Sequence, residues 1–150
     1  MGRFVGAFVA ITLAVSPVGG AAIADDSVDM KLGHFLPGGH PMAKYLESWA
    51  QKLGEDSDGR INIEVFQGAQ MGPVPEYYDM TRKRIIDIGW ILHGATSARF
   101  PLTGLIDIPF TVDSAVHGTR ILNDPALREH LDPEHRGVKV LYLFTHQPAQ

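Results

Sequence analysis

The sequence predicts an α/β fold in which a mostly parallel sheet is flanked by helices. Two observations carry this. Short apolar segments of strand length, at residues 28–35, 60–66, 85–92 and 137–144, alternate with amphipathic segments of helical period. That alternation builds parallel sheets, because two parallel strands need a crossover between them. The segment IIDIGWIL also carries apolar residues on both faces, as a central strand covered on both sides requires.

Ahead of the first strand comes a leader. Arg3 is followed by an uncharged run from Phe4 to Val15, then by Ser16-Pro17 and Gly19-Gly20, then by Ala22-Ile23-Ala24 before Asp25-Asp26. A positive start, an apolar stretch and a small-x-small site make the pattern of a secretory signal peptide. Residues 4–24 could nearly span a bilayer, but Pro17 and the glycines interrupt them. The expectation is a cleaved leader over residues 1–24 and a mature chain from Asp25, with residues 25–150 forming one domain. The chain has no cysteine, so disulfides and thiolate ligands are excluded. It carries 13 Lys and Arg against 17 Asp and Glu, and this acidic balance does not attract nucleic acid.

The first strand reads VDMKLGHF, with Val28, Met30 and Leu32 alternating with Asp29, Lys31 and Gly33. After the LPGG loop, Pro41 suits a first helical turn. Met42, Leu46, Trp49, Ala50 and Leu53 form the apolar stripe of that helix, which Ser57-Asp58-Gly59 ends. RINIEVF is a second strand with Ile61, Ile63 and Val65 on one face, turned by Gln67-Gly68. A second helix is expected from about Pro75 to Arg84, with one of Tyr77 and Tyr78 buried and the other exposed. The third strand is Ile85–Leu92. Residues 113–132 form one or two helices, broken near Asn123-Asp124-Pro125. GVKVLYLF is a further buried strand, and THQPAQ follows it with no helix, so the expectation is a chain cut in mid-fold.

In open parallel sheets, ligands bind outside the carboxyl ends of the strands. Those exits are His34-Phe35, Gln67 to Gln70, Trp90 to His93, and Thr145-His146-Gln147. Aromatic and polar side chains together suit a small-molecule pocket, with Phe35, Gln70, Trp90, His93 and His146 as candidate ligand contacts. The helix start after Gly38-Gly39 would add N–H groups that favour an anion. Each residue has a structural alternative: Trp90 as core, His93 as a strand terminator, His146 as a loop histidine.

A zinc protein using His34, His40 and His93 or His146 is the alternative class. The seven histidines show neither the i, i+4 helical spacing nor a tight HxH pair, so neither metal nor cofactor is expected. His130 and His135 read as part of a solvated helix end. No nucleophile elbow, P-loop or dinucleotide fingerprint is present, Asp87 is awkwardly placed inside a strand, and Asp107 reads as a turn or cap. An enzyme is therefore not expected.

Five motifs in order, KLGHFLPGGHPMAKYLESWAQKL, GRINIEVFQGAQMG, RIIDIGWI, RFPLTGLIDIPF and GVKVLYLF, resemble the dicarboxylate-type solute-binding proteins of tripartite ATP-independent periplasmic (TRAP) transporters. The resemblance implies a periplasmic-binding-protein-like fold of two lobes, of which this chain would hold most of the first. It implies a small organic acid as ligand, a membrane permease as partner, and a carboxylate-clamping arginine beyond Gln150. Phe35 matches the first exit, and Leu92 and His93 match the third, where some members present a carboxylate for acidic sugars. Leu92 in that place, beside Phe35 and Trp90, implies a more apolar or aromatic acid.

Overall fold

The computed structural model describes residues 27–146. The expected leader, and Gln147 at the last strand exit, lie outside the described residues. Three parallel strands form a sheet in the order β2-β1-β3.

Strand β1 (Val28–Gly33) pairs with β2 (Ile61–Phe66) in register from Val28 opposite Ile61 to Gly33 opposite Phe66. Leu32 is 1% exposed beneath the sheet. A Cβ at Gly33 would lie 3.0 Å from the Tyr77 ring and 3.2 Å from Ile86, so only glycine lets the sheet sit this close to its cover.

Helix α1 (Pro41–Asp56) makes the crossover. Its buried residues Ala43, Leu46 and Ala50 fall three and four apart on the face that packs on β2. Burying a leucine-sized side chain contributes about 1.5–3 kcal/mol, so the stripe outweighs the helix's other local preferences. Ser57 joins the helix end to the next strand: its N–H reaches the Leu53 carbonyl at 3.1 Å, and its hydroxyl accepts from the Ile61 N–H at 3.0 Å. Asp58 and Gly59 then reverse the chain at φ 54° and 76°.

A 3-10 turn (Val74–Glu76) leads into α2 (Tyr77–Arg82). Both tyrosines are buried, at 0% and 3% exposure, where one exposed was expected. Tyr77 packs with Met80 and Ile86, while the Tyr78 hydroxyl donates to the Arg136 carbonyl at 3.0 Å. That partner lies 58 residues away, so no local pattern announces it.

Strand β3 is only Ile88–Gly89, shorter than the eight-residue strand expected. Asp87 begins the pairing with both backbone and side chain: its N–H reaches the Lys31 carbonyl at 2.9 Å, and its carboxylate accepts from the Lys31 N–H at 2.8 Å. After Gly89 the Trp90 N–H still reaches the Gly33 carbonyl, at 3.0 Å, and the chain then winds into 3-10 turns over His93–Arg99 and Thr103–Asp107.

Helices α3 (Ala115–Leu122) and α4 (Pro125–Leu131) break at the expected place. Ser114 caps the first through the His117 N–H at 3.2 Å, and Asp124 caps the second through the Ala126 N–H at 2.9 Å. Leu122, Leu131 and Leu143 make a second small core.

The expected strand over residues 137–144 does not form. Leu143 is buried, but its backbone is held by a side chain: Asn123 donates to its carbonyl and accepts from its N–H at 3.2 Å. The Thr145 N–H binds Thr119 Oγ1 at 3.1 Å in the same manner. Among the described residues no strand runs beside this segment, and Leu141, Tyr142 and Phe144 remain 68%, 62% and 44% exposed. No helix among the described residues is long and apolar enough to cross a membrane.

Candidate functional site at the strand exits

The strand order sets where a ligand would sit. From β1 the chain crosses to β2 on one side, and β3 pairs on the other. The crevice between the exits of β1 and β3 is thus the point where the winding reverses, which is where open α/β sheets bind ligands.

At the β1 exit the backbone is tied down on both sides. The His34 N–H reaches the Phe66 carbonyl at 3.0 Å, and the Ala69 N–H reaches the His34 carbonyl at 3.2 Å. Phe35 is half-buried here. His34 is 0% exposed, so it is no accessible ligand for a metal or an acid. Burial pushes its pKa below the ordinary imidazole value, against the opposing pull of Glu47, so the ring is held neutral. Gln67 turns back onto Glu47, and Gln70 stands exposed at the end of that loop.

The start of α1 does not offer the free N–H groups expected of it. His40 is the N-cap, and its Nδ1 accepts from the Met42 N–H at 3.1 Å. The Ala43 and Lys44 N–H groups both reach the His40 carbonyl, at 2.9 and 3.2 Å. With Pro41 lacking a donor, the first turn is already satisfied.

The β3 exit is aromatic. Trp90 is half-buried and packs on Phe144, ring centroids 4.6 Å apart with a 52° tilt. Leu92 is 41% exposed. The His93 ring meets Phe100 edge-on at 4.5 Å, and its Nε2 lies 2.8 Å from Nε2 of His135. His135 was read as solvated; it is 4% exposed, stacks on Phe100 at 5.0 Å, and bonds through Nδ1 to the Leu131 carbonyl at 2.9 Å. Burial, reinforced by His135, lowers the His93 pKa to about 4. Tyr78 closes the cluster against Phe100 at 4.9 Å, under the Arg99 guanidinium at 5.0 Å.

Glu134 anchors this cluster to the turn before it. Its carboxylate accepts from the N–H groups of Leu102 at 2.6 Å and Thr103 at 2.9 Å, and from the Thr103 hydroxyl at 2.8 Å. Burial alone would raise its pKa, but these donors outweigh it and lower the value.

Phe35, Trp90, Leu92 and His93 thus sit on adjacent strand exits, with Gln70 on the neighbouring loop. His146 is exposed at the end of the last segment. The histidines of the zinc alternative are not gathered: His34 is buried, His40 caps a helix, and His93 is bound to His135. Among the described residues, no three His, Cys, Asp or Glu side chains come together to hold a metal ion. Sequence reasoning missed Phe100 and His135 as members of the cluster. Phe100 lay inside a quoted motif, but nothing local tied it to His135.

A shallow concavity of about 520 Å³ lies elsewhere, along α1 and β2. Glu47, Glu55 and Glu64 line it, a poor setting for an anion.

A three-stranded parallel sheet flanked by helices is the α/β fold of periplasmic-binding-protein-like proteins. Residues 32–147 match the family described as bacterial extracellular solute-binding protein, family 7, and the chain belongs to that family of TRAP solute-binding proteins. These are binding proteins of transport systems, not enzymes. A solute-binding protein of Chromohalobacter salexigens is 28% identical over 87 residues, 58% of this chain and 26% of that relative. Among solved structures, a TRAP solute-binding protein of an unidentified marine microbe, specific for aromatic acid ligands and in complex with 3-hydroxybenzoate, is similar with 29% identity and a TM-score of 0.75. A TRAP solute-binding protein of Rhodoferax ferrireducens in complex with copurified benzoate matches with 27% identity and a TM-score of 0.66. Each match covers 81% of this chain but only 38% of the solved one, so the chain spans well under half the length of these relatives.

Proposed function

We propose that this chain supplies the first lobe of a periplasmic binding protein that captures a small aromatic carboxylate and delivers it to a TRAP-type membrane permease. The reading is carried by the aromatic β3 exit, where Trp90 packs on Phe144 and His93 packs on Phe100. A flat ring buries well against such side chains, whereas a sugar acid needs a hydrogen-bonding partner for each hydroxyl. The aromatic acids bound by the two solved relatives support the same ligand class. Phe35, Trp90, Leu92 and His93 form the apolar wall, and Gln70 and His146 contribute polar contacts at its rim. The carboxylate itself is clamped by an arginine of the second lobe. Residues 1–24 act as a cleaved export signal, residues 25–150 form the first lobe up to its crossover, and the ion gradient across the membrane drives uptake.

Two experiments test this. Trp90→Ala in the full-length protein weakens benzoate binding by roughly tenfold, while Trp49→Phe leaves it unchanged; a thermal melt verifies that both variants fold. Equal benzoate affinity in folded Trp90→Ala removes Trp90 from the site. Mass spectrometry of the exported protein finds Asp25 at or next to its amino terminus; retention of Met1 contradicts the leader assignment.

A further inference from the structure

The His93–His135 contact determines which hydrogen-bonding face His93 turns to the ligand. The Leu131 carbonyl can only accept, so His135 Nδ1 carries a proton. In the neutral pair His135 Nε2 is then a lone pair, and the proton shared across the 2.8 Å contact belongs to His93 Nε2. That leaves His93 Nδ1 unprotonated. With Nε2 engaged by His135, Nδ1 is the ring nitrogen His93 has left to offer at the β3 exit.

We propose that His135 is a positioning residue which makes His93 Nδ1 a hydrogen-bond acceptor in the neutral protein, and that the pair thereby selects hydroxylated aromatic acids over the unsubstituted acid. This rests on the aromatic-carboxylate reading above. A ligand hydroxyl donates to Nδ1 of the neutral pair.

The test is calorimetric titration of the full-length protein with 3-hydroxybenzoate and benzoate. At about pH 8, above the ordinary imidazole range, 3-hydroxybenzoate binds roughly tenfold more tightly than benzoate. His135→Phe keeps the stack on Phe100 and keeps benzoate binding, but loses the hydroxyl preference. Nitrogen-15 NMR of the wild-type histidines reads the tautomer without any substitution, and finds His93 protonated at Nε2 at about pH 8. Binding of both acids with no preference, a preference that survives His135→Phe, or a His93 protonated at Nδ1 at high pH each overturns the inference and leaves the ligand class standing. Binding of neither acid overturns the ligand class, and this inference with it.

Discussion

Residues 28–89 are joined by backbone ladders between strands, whereas residues 91–146 are joined by side chains reaching across to backbone. In the first region the β1–β2 register runs unbroken over six residue pairs, and α1 covers it with an apolar stripe at helical spacing. In the second, Asn123 holds Leu143, Thr119 holds Thr145, and Glu134 holds Leu102 and Thr103. Most of the exposed large apolar residues follow this division: among the described residues nine, from Leu92 to Phe144, lie in the second region, against Val28, Tyr45 and Ile85 in the first. A ladder repeats along a strand, so losing one link leaves the rest. A side-chain tie is a single point, and its removal frees a whole segment.

Four substitutions or conditions sharpen the comparison, the largest effect first. Phe100 is 0% exposed and touches Tyr78, His93 and His135, so it is the hub that joins the two regions. Phe100→Ala is expected to cost about 3–5 kcal/mol in urea unfolding. A cost near that of a surface substitution would mean that the regions are not coupled through this ring.

Acid acts on the same hub. His93 has its pKa lowered to about 4 against an ordinary value of 6.5, so between those values the unfolded chain binds a proton that the folded one refuses. Stability is therefore complete above pH 6.5 and falls as pH drops toward 4, by on the order of 2–3 kcal/mol. Unfolding curves at several pH values measure it, and His93→Phe removes that part of the slope.

Asn123→Ala leaves the Leu143 N–H and carbonyl without partners and is expected to cost about 1–3 kcal/mol. Faster amide exchange confined to residues 139–146 would confirm that one side chain holds that segment. His40→Ala removes only the cap of α1 and is expected to cost about 1 kcal/mol, because the ladder and stripe beneath it persist. A loss in His40→Ala that exceeds the loss in Asn123→Ala would invert the comparison.

The same division governs what could be read from the sequence. In the first region, β1, α1 and β2 have partners within a few tens of residues and bury one face each, so period two and period 3.6 expose them directly. The break at Asn123-Asp124-Pro125 was legible because a cap is a local device. GVKVLYLF has the composition of a buried strand, yet a strand exists only where a neighbour supplies its hydrogen bonds, and that neighbour is not encoded in those eight residues. IIDIGWIL shortens for a related reason, since Asp87 uses its carboxylate where a ladder bond would stand. The strand-exit rule placed Phe35, Trp90, Leu92 and His93 on adjacent exits. It could not bring His135 there, because the contact spans 42 residues and carries no motif.

The account's central claim is that the crevice between β1 and β3 is half of an aromatic-acid site. Calorimetric titration of the full-length protein with benzoate, 3-hydroxybenzoate and glucuronate tests it most directly. The prediction is saturable binding of the two aromatic acids with Kd on the order of a micromolar or tighter and no measurable heat with glucuronate. Tight binding of glucuronate with none of the aromatic acids would contradict it.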